Sequence, residues 1–236
     1  MNLGLEGRVC VVTGGTRGIG AATVRMLAQE GARVLSVARS GADVELDVTA
    51  PDAGERLLEA CPDAPWALVN NAGTSQARAL DDLTDADWQE QWELHVMAPM
   101  RLMRALAPVM AEAGGGRIVN VSSSSGRRPS GRLDASYSVT KAAELSLSRV
   151  FADAFASKGV LVNAVAPGAV EGELWQGEGG LADQIAERTG QSRDERQPLR
   201  DAGVVHRGLH VLGDADQLAP LCGIEGAVHR VRLHLE

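Results

Sequence analysis

Aromatic residues are scarce in this chain: they make up 3% of its 236 residues, with one tyrosine and two phenylalanines. Hydrophobic residues still account for 44%, so the core has to be built from valine, leucine, alanine and isoleucine. A core of small aliphatic side chains suits a parallel sheet covered by helices. Because α/β folds of roughly 250 residues can form one domain, we expect a single domain over residues 1–236.

Cysteine and long apolar runs are also scarce. The three cysteines, Cys10, Cys61 and Cys222, have no CxxC spacing, which excludes a disulfide framework and a cysteine zinc site. No apolar run approaches the ~20 residues needed to span a bilayer, and residues 1–7 lack the apolar core of a signal peptide. We therefore expect a cytoplasmic protein without a membrane partner.

Positive charge is in deficit as well. The formal net charge is −8, and only two lysines are present, Lys141 and Lys158. Binding to nucleic acid needs clustered lysine and arginine to neutralise phosphates. The charge balance therefore excludes a nucleic-acid partner and favours a small-molecule substrate.

Short β-branched runs alternate with helical segments up to about residue 165. The predicted strands are residues 9–12, 33–37, 43–48, 66–69, 117–121 and 160–165. The predicted helices are residues 21–30, 86–113, with a kink at Pro99, and 135–157. This alternation predicts a doubly wound parallel sheet of the Rossmann type. Residues 171–197 are polar, with one short helix, and are predicted to form a flap over the substrate.

A glycine-rich turn follows the first predicted strand and precedes the first helix. Its glycines let the backbone approach a pyrophosphate, and a helix N-terminus presents free N–H groups to an anion. A P-loop is excluded because Ala21 stands where that motif needs a lysine. The residues of this turn that we expect to contact a dinucleotide are Gly14, Thr16, Arg17, Gly18, Ile19 and Gly20.

The second strand ends without the acidic residue that binds the ribose 2′-hydroxyl of NAD. Ala38-Arg39 stands there instead. Because a guanidinium group matches phosphate geometry, Arg39 and Arg17 could pair with the extra phosphate of NADP. The alternative is that Arg39 is simply solvated.

The only tyrosine, Tyr137, stands four residues before Lys141. On a helix this spacing places both side chains on one face. A phenol is a poor base at neutral pH unless a neighbouring positive charge favours its phenolate form. The pair therefore indicates an acid/base centre in which Lys141 supplies that charge.

Taken together, these segments resemble the short-chain dehydrogenase/reductase family, and in particular its 3-oxoacyl carrier-protein reductases. The motifs that carry the resemblance follow the family order over roughly residues 6–170. They are Thr13-Gly14-x3-Gly18-x-Gly20, Asn70-Asn71-Ala72-Gly73, a serine after the fifth strand, Tyr137-x3-Lys141 and Pro167-Gly168.

The resemblance implies how the site works. In the family a serine binds the substrate carbonyl, the tyrosine gives or takes the proton, and the lysine also holds the nicotinamide ribose. Ser123 matches that serine in a Ser-x-x-Gly pattern, with Ser124 as the fallback. The remaining cofactor contacts that the resemblance implies are Asp47, Val48, Asn71, Ala72, Gly73, Pro167 and Gly168, besides Tyr137 and Lys141 themselves.

Two features depart from the family. His95 stands where the family has an asparagine that holds a water of the proton relay. An imidazole can donate and accept hydrogen bonds, so His95 could substitute for it, or it could be a core histidine satisfied by backbone. Residues 204–236 lack the family's usual final helix, seventh strand and Asp-Gly-Gly-like stretch, which support dimers or tetramers. His206 and His210 have metal-ligand spacing without a clear third ligand, so no metal is expected.

The sequence thus predicts an NADP(H)-dependent oxidoreductase that acts on a small ketone or secondary alcohol as a homodimer or homotetramer. The alternative is a catalytically impaired NADP(H)-binding sensor or partner protein, motivated by His95 and the unusual tail.

Overall fold

A computed structural model describes residues 3–129, 134–168, 170, 172–190 and 210–212. The strands are β1 Val9–Thr13, β2 Arg33–Ala38, β3 Val44–Glu45, β4 Ala67–Asn70, β5 Gly116–Val121, β6 Val160–Ala166 and β7 His210–Leu212. The helices are α1 Gly18–Gln29, α2 Ala53–Ala60, α3 Asp85–Trp92, α4 Ala98–Glu112, α5 Ser124–Arg127, α6 Ala135–Phe155, α7 Glu173–Gln176 and α8 Leu181–Thr189.

These strands form one sheet in the order β3-β2-β1-β4-β5-β6-β7. The first six run parallel, and β7 pairs with β6 in the antiparallel direction. The chain leaves β1 in one direction and returns through β4 on the other side. This change of direction opens a crevice at the carboxyl ends of β1 and β4, where doubly wound sheets bind ligands.

Both faces of the sheet are covered, as a parallel sheet requires. In β1 every residue is buried, and the side chains alternate between the two faces. Val11 packs in the core beneath α2, α4 and α6, whereas Cys10 and Val12 pack on the opposite side with Leu27 of α1. Burial raises the pKa of the Cys10 thiol to about 12, so this cysteine is a packing residue.

Two elements between β2 and β4 differ from the sequence predictions. Only Val44–Glu45 of the predicted strand 43–48 pairs with β2, because Asp47 folds into a turn by accepting hydrogen bonds from the amide and hydroxyl of Thr49 at 2.9 and 2.7 Å. Helix α2 was not predicted, since Leu57 is its one large side chain that is fully buried.

The predicted helix 86–113 is also two helices rather than one. A π-helical turn, Glu93–Met97, separates α3 from α4, and Pro99 lies in the first turn of α4. Pro99 has no N–H with which to continue the helical hydrogen bonding of the preceding turn. The irregularity therefore falls just before Pro99, where the kink was predicted.

The C-terminal third gives a further difference. Residues 172–190 contain two helices, α7 and α8, where the sequence indicated one. Strand β7 supplies a seventh strand that the sequence did not show, although its direction is antiparallel. Part of the predicted flap, residues 191–197, lies outside the described residues. The same holds for residues 204–209 and 213–236 of the tail, which include His206 and Cys222.

Candidate active site

The residues singled out from the sequence follow the strands that border the crevice. Gly14 comes after β1, Asn71 after β4, Ser123 after β5 and Pro167 after β6. Because these parallel strands end at the same edge of the sheet, the fold gathers the four segments there. The backbone joins two of them directly, since the Ser124 amide donates to the Pro167 carbonyl at 2.8 Å.

The turn after β1 is too tightly packed for side chains at Gly14 and Gly20. Gly14 has φ +63°, and a Cβ atom there would lie 2.9 Å from Asn71 Nδ2 and 3.0 Å from the Cα atom of Ala72. At Gly20 a Cβ atom would collide with the Gly14 carbonyl. A left-handed backbone and this close approach both require glycine. The turn is thus a cradle of backbone, which fits a pyrophosphate.

Hydrogen bonds from the neighbouring strand fix the shape of this cradle. Thr13 Oγ1 accepts from the amides of Asn71 and Ala72, both at 3.0 Å, and donates to the Val69 carbonyl at 3.3 Å. The Asn71 side chain donates to the carbonyls of Thr13 and Gly14 at 2.9 and 3.1 Å. The first and fourth strand ends are therefore locked to each other. In this way Asn71 and Ala72 shape the turn.

The start of α1 is open to an anion. Among the described residues no side chain caps this helix, and its first turn carries no acid. Thr16, Arg17, Gly18 and Ile19 are exposed around it. Free N–H groups and the helix dipole at such an end favour a phosphate.

The adenosine end of the proposed cofactor site is partly defined. Arg39 is exposed after β2, which leaves its guanidinium available to a phosphate. The Asp47 carboxylate is engaged by Thr49, whose hydrogen bonds lower its pKa, with a smaller contribution from Arg39. Val48 is buried. The structure therefore gives Asp47 and Val48 local structural roles. Their contact with the cofactor stays a prediction.

At the other end of the crevice, Asp134 fixes the start of α6. Its fully buried carboxylate accepts from the Tyr137 amide at 3.1 Å and from the Ser136 hydroxyl. An acid at this position satisfies a free amide and interacts favourably with the helix dipole. Tyr137 is thereby held in the first turn of α6.

Tyr137, Lys141 and His95 meet as a cluster. The ammonium nitrogen of Lys141 lies 6.0 Å from the centroid of the Tyr137 ring. The imidazole of His95 meets that ring edge-on, with centroids 5.3 Å apart. Tyr137 itself is only half-buried. Tyr137 and Lys141 are thus neighbours, as their spacing predicted, and their acid/base role stays a prediction.

His95 is held from both of its nitrogens. Nε2 accepts from the Thr74 amide at 3.3 Å, and Nδ1 lies 3.3 Å from the Thr140 hydroxyl. Accepting at Nε2 places the ring proton on Nδ1. Burial, reinforced by the Lys141 charge, holds the pKa of His95 well below its usual range. The imidazole is therefore neutral at physiological pH.

The serine segment packs closely against the helix that carries Tyr137. Ser123 Oγ accepts from the Ser125 amide at 3.1 Å and so caps the short helix α5. The Ser122 hydroxyl donates to the Lys141 carbonyl at 2.8 Å. A Cβ atom at Gly126 would lie 2.7 Å from the Lys141 carbonyl carbon. The Ser-x-x-Gly spacing therefore lets this turn lie against α6.

Comparison with known proteins agrees with this geometry. Residues 8–179 match the family model described as short chain dehydrogenase. The chain belongs to the short-chain dehydrogenase family. It is therefore an oxidoreductase, and the family membership, fold class and enzyme class expected from its motifs are confirmed.

Individual relatives within this family are moderately similar. A 3-oxoacyl-[acyl-carrier-protein] reductase of Vibrio cholerae is 34% identical over 189 residues, which cover 73% of this chain and 77% of the relative. Galactitol 2-dehydrogenase of Agrobacterium fabrum is 33% identical and covers 73% and 74%. The solved structure of L-sorbose reductase from Gluconobacter frateurii, complexed with NADPH and L-sorbose, superposes with a TM-score of 0.73 at 30% identity. It covers 83% of this chain and 81% of that one. The names of these relatives specify different substrates.

The family motifs did not reveal one charged residue of the site. Glu144 is 2% exposed and lies within 2.8 Å of the Lys141 ammonium. Its position three residues after Lys141 was a signal, because such pairs share a helix face. An asparagine, Asn120, was also missed: it accepts from Asn70 and donates to Ser148, both at 2.7 Å.

Two further findings concern the surroundings of the site. The Gln184 side chain of α8 accepts from the Ala77 amide at 2.9 Å, which ties the predicted flap to the segment after β4. Among the described residues, no group of three histidine, cysteine, aspartate or glutamate side chains could hold a metal ion. Nor is any described helix both long and apolar enough to cross a membrane.

Proposed function

We propose that this chain is an NADP(H)-dependent oxidoreductase that reduces a small ketone to a secondary alcohol, or catalyses the reverse. The observation that carries the proposal is the contact of Tyr137 with Lys141, one helical turn away on α6, in a sheet whose first strand ends in a tightly packed glycine turn. The nicotinamide supplies the hydride when bound. Tyr137 supplies the proton to the carbonyl oxygen, and Ser123 binds that oxygen.

The preference for NADP(H) rests on the arginines. Arg17 and Arg39 are both exposed at the phosphate end of the site, and β2 ends without an acid that would repel a 2′-phosphate. NADPH is also the cofactor in the structure of the related L-sorbose reductase. The proposed cofactor contacts are those predicted from the sequence, and Pro167 and Gly168 would flank the nicotinamide end.

His95 replaces the family's asparagine, and we propose that it acts as a neutral hydrogen-bonding group. Its two nitrogens contact Thr74 and Thr140 at 3.3 Å, so it orders the wall beside Tyr137. The assembly of the chain as a homodimer or homotetramer and its cytoplasmic location are further expectations from the sequence. Light scattering during gel filtration would measure the assembly.

The experiment that tests the proposal is a titration with NADPH and NADH, followed by a panel of ketones monitored through loss of reduced nicotinamide. We expect tighter binding of NADPH and turnover of at least one small ketone. Arg39→Ala should weaken NADPH binding and leave NADH binding unchanged. Binding of NADPH without turnover of any ketone or alcohol would instead support the sensor or partner alternative.

A further inference from the structure

The lysine of the catalytic cluster does not face the site as a lone charge. Lys141 is 3% exposed, and its ammonium donates to the Val121 carbonyl and to Glu144 Oε2, both at 2.8 Å. An ammonium has three N–H donors. Two of them are therefore committed to the protein interior, and one remains for the side of Tyr137.

Glu144 belongs to the same helix face as the two residues it follows. Positions 137, 141 and 144 have the i, i+4, i+7 spacing of one helical stripe. Seven residues correspond to ~10 Å along the helix axis. Along the helix, Lys141 thus stands between Tyr137 and Glu144, and the carboxylate is close enough for its charge to oppose that of Lys141.

Little else around Glu144 can balance this pair. The carboxylate borders a small interior cavity whose other lining residues are uncharged: Thr13, Val48, Asn70, Ala72, Leu94, Ala98, Pro99 and Leu102. Of the ionisable groups in the cluster, His95 on the π-helical turn is neutral, and Tyr137 and Lys141 lie on α6 itself. Burial raises the pKa of Glu144, and the Lys141 ammonium acts in the opposite direction. Charges buried this far from bulk solvent are weakly screened.

We propose that Glu144 is a positioning residue that holds the Lys141 ammonium and offsets part of its charge, so that the Tyr137 hydroxyl serves as a proton donor. The proposal rests on the proposed acid/base role of Tyr137. Because carbonyl reduction starts from the phenol and alcohol oxidation from the phenolate, the Glu144 charge should extend the pH range of reduction upward. A lysine without this partner would favour the phenolate more strongly.

The single tyrosine of the chain makes the effect directly measurable. With tyrosine labelled by ¹³C at the ring carbon that bears oxygen, the protein gives one signal, whose shift reports ionisation of Tyr137. The titration needs no substrate and no turnover. Failure of the proposed enzyme activity would therefore leave this test intact.

We expect Glu144→Gln to lower the midpoint of that titration by about one pH unit, since an uncompensated ammonium at this distance favours the charged form of an acid. The pH optimum for ketone reduction should move down with it. Glu112→Gln is the matched control, because it removes one negative charge from an exposed position on α4. It should leave the midpoint where it is. An unchanged or raised midpoint in Glu144→Gln would overturn the proposal.

A second variant keeps the test decisive if Glu144→Gln does not fold. This variant removes both charges of the Lys141–Glu144 ion pair. Lys141→Met combined with Glu144→Gln leaves no charge in that part of the core. If Glu144 offsets the lysine, the midpoint should rise by less than about one pH unit. A rise of about one to three units, as expected when a lone ammonium is lost, would show that Glu144 offsets nothing.

Discussion

The glycine turn after β1 and the face of α6 that carries Tyr137 form the two ends of one crevice, yet they are built in different ways. Backbone shape determines the turn, where a Cβ atom at Gly20 would collide with the Gly14 carbonyl. Side-chain chemistry determines the helix face, where a phenol, an ammonium, an imidazole and a carboxylate meet. Substitutions at the first end should therefore act through binding and stability, and those at the second through proton transfer.

The largest effect is expected at the chemical end. Tyr137→Phe removes only the hydroxyl, so the rate of ketone reduction should fall by about 10²- to 10⁴-fold, the usual contribution of a general acid. NADPH affinity should change little. Steady-state rates and a fluorescence titration with NADPH would measure the two separately. Full turnover by this variant would show that Tyr137 is not the proton donor.

In the glycine turn after β1, substitutions are expected to weaken cofactor binding and stability. Gly20→Ala forces a methyl group against the Gly14 carbonyl and to within 2.5 Å of Asn71 Nδ2. We expect NADPH affinity to fall at least about tenfold and stability to fall by about 1–3 kcal/mol from overpacking. Calorimetric titration and urea unfolding would measure these losses.

A glycine in open space provides the control for that variant. A Cβ atom at Gly172 meets nothing within 4 Å, and the residue has no left-handed φ. Gly172→Ala should leave NADPH binding and stability unchanged. Equal NADPH binding by the Gly20 and Gly172 variants would contradict the role given to the turn.

Removing the hydrogen bonds between Thr13 and the residues after β4 should have a smaller effect on stability and binding. Thr13→Val keeps the shape of the side chain and removes the acceptor for the amides of Asn71 and Ala72. Leaving these partly buried donors unsatisfied should lower the free energy of unfolding in urea by about 1–3 kcal/mol. Thr23→Val, which removes an exposed hydroxyl from α1, should cost less than about 0.5 kcal/mol.

His95 should make stability sensitive to acid. Its pKa is depressed in the folded state, so the unfolded chain binds the proton more tightly and stability falls as pH drops below the unfolded value of ~6.5. Between about pH 6.5 and pH 5.5, the wild-type protein should lose about 1 kcal/mol more than His95→Asn. Melting curves over this range would show it. Parallel losses in both proteins would mean that another group is responsible.

The same contrast explains how much the sequence could predict. Glycine spacing and β-branched runs report backbone constraints that are local, so the turn, five of the six predicted strands and the Tyr137 helix could be located to within a few residues. Strand β3 was overestimated because Asp47 leaves the sheet through a hydrogen bond to Thr49. The pattern of apolar residues in the sequence does not reveal such a turn.

Buried charge was harder to predict. Glu144 looks in the sequence like an ordinary polar position of an amphipathic helix, and only tertiary packing shows that it is buried against Lys141. The contact between His95 and Tyr137 likewise joins two helical segments 42 residues apart in the sequence. Neither local propensity nor helical periodicity contains that information.

The central claim is that Tyr137 supplies the proton to the carbonyl oxygen, where a bound nicotinamide would supply the hydride to the carbonyl carbon. Incubation of the protein with NADPH deuterated at the transferable position and a ketone from the panel, followed by mass spectrometry of the alcohol, tests it most directly. The account predicts one deuterium bound to the carbinol carbon in the wild-type reaction and almost no alcohol with Tyr137→Phe. Alcohol without deuterium from either position of the nicotinamide C4, or no alcohol from any ketone that binds, would contradict it.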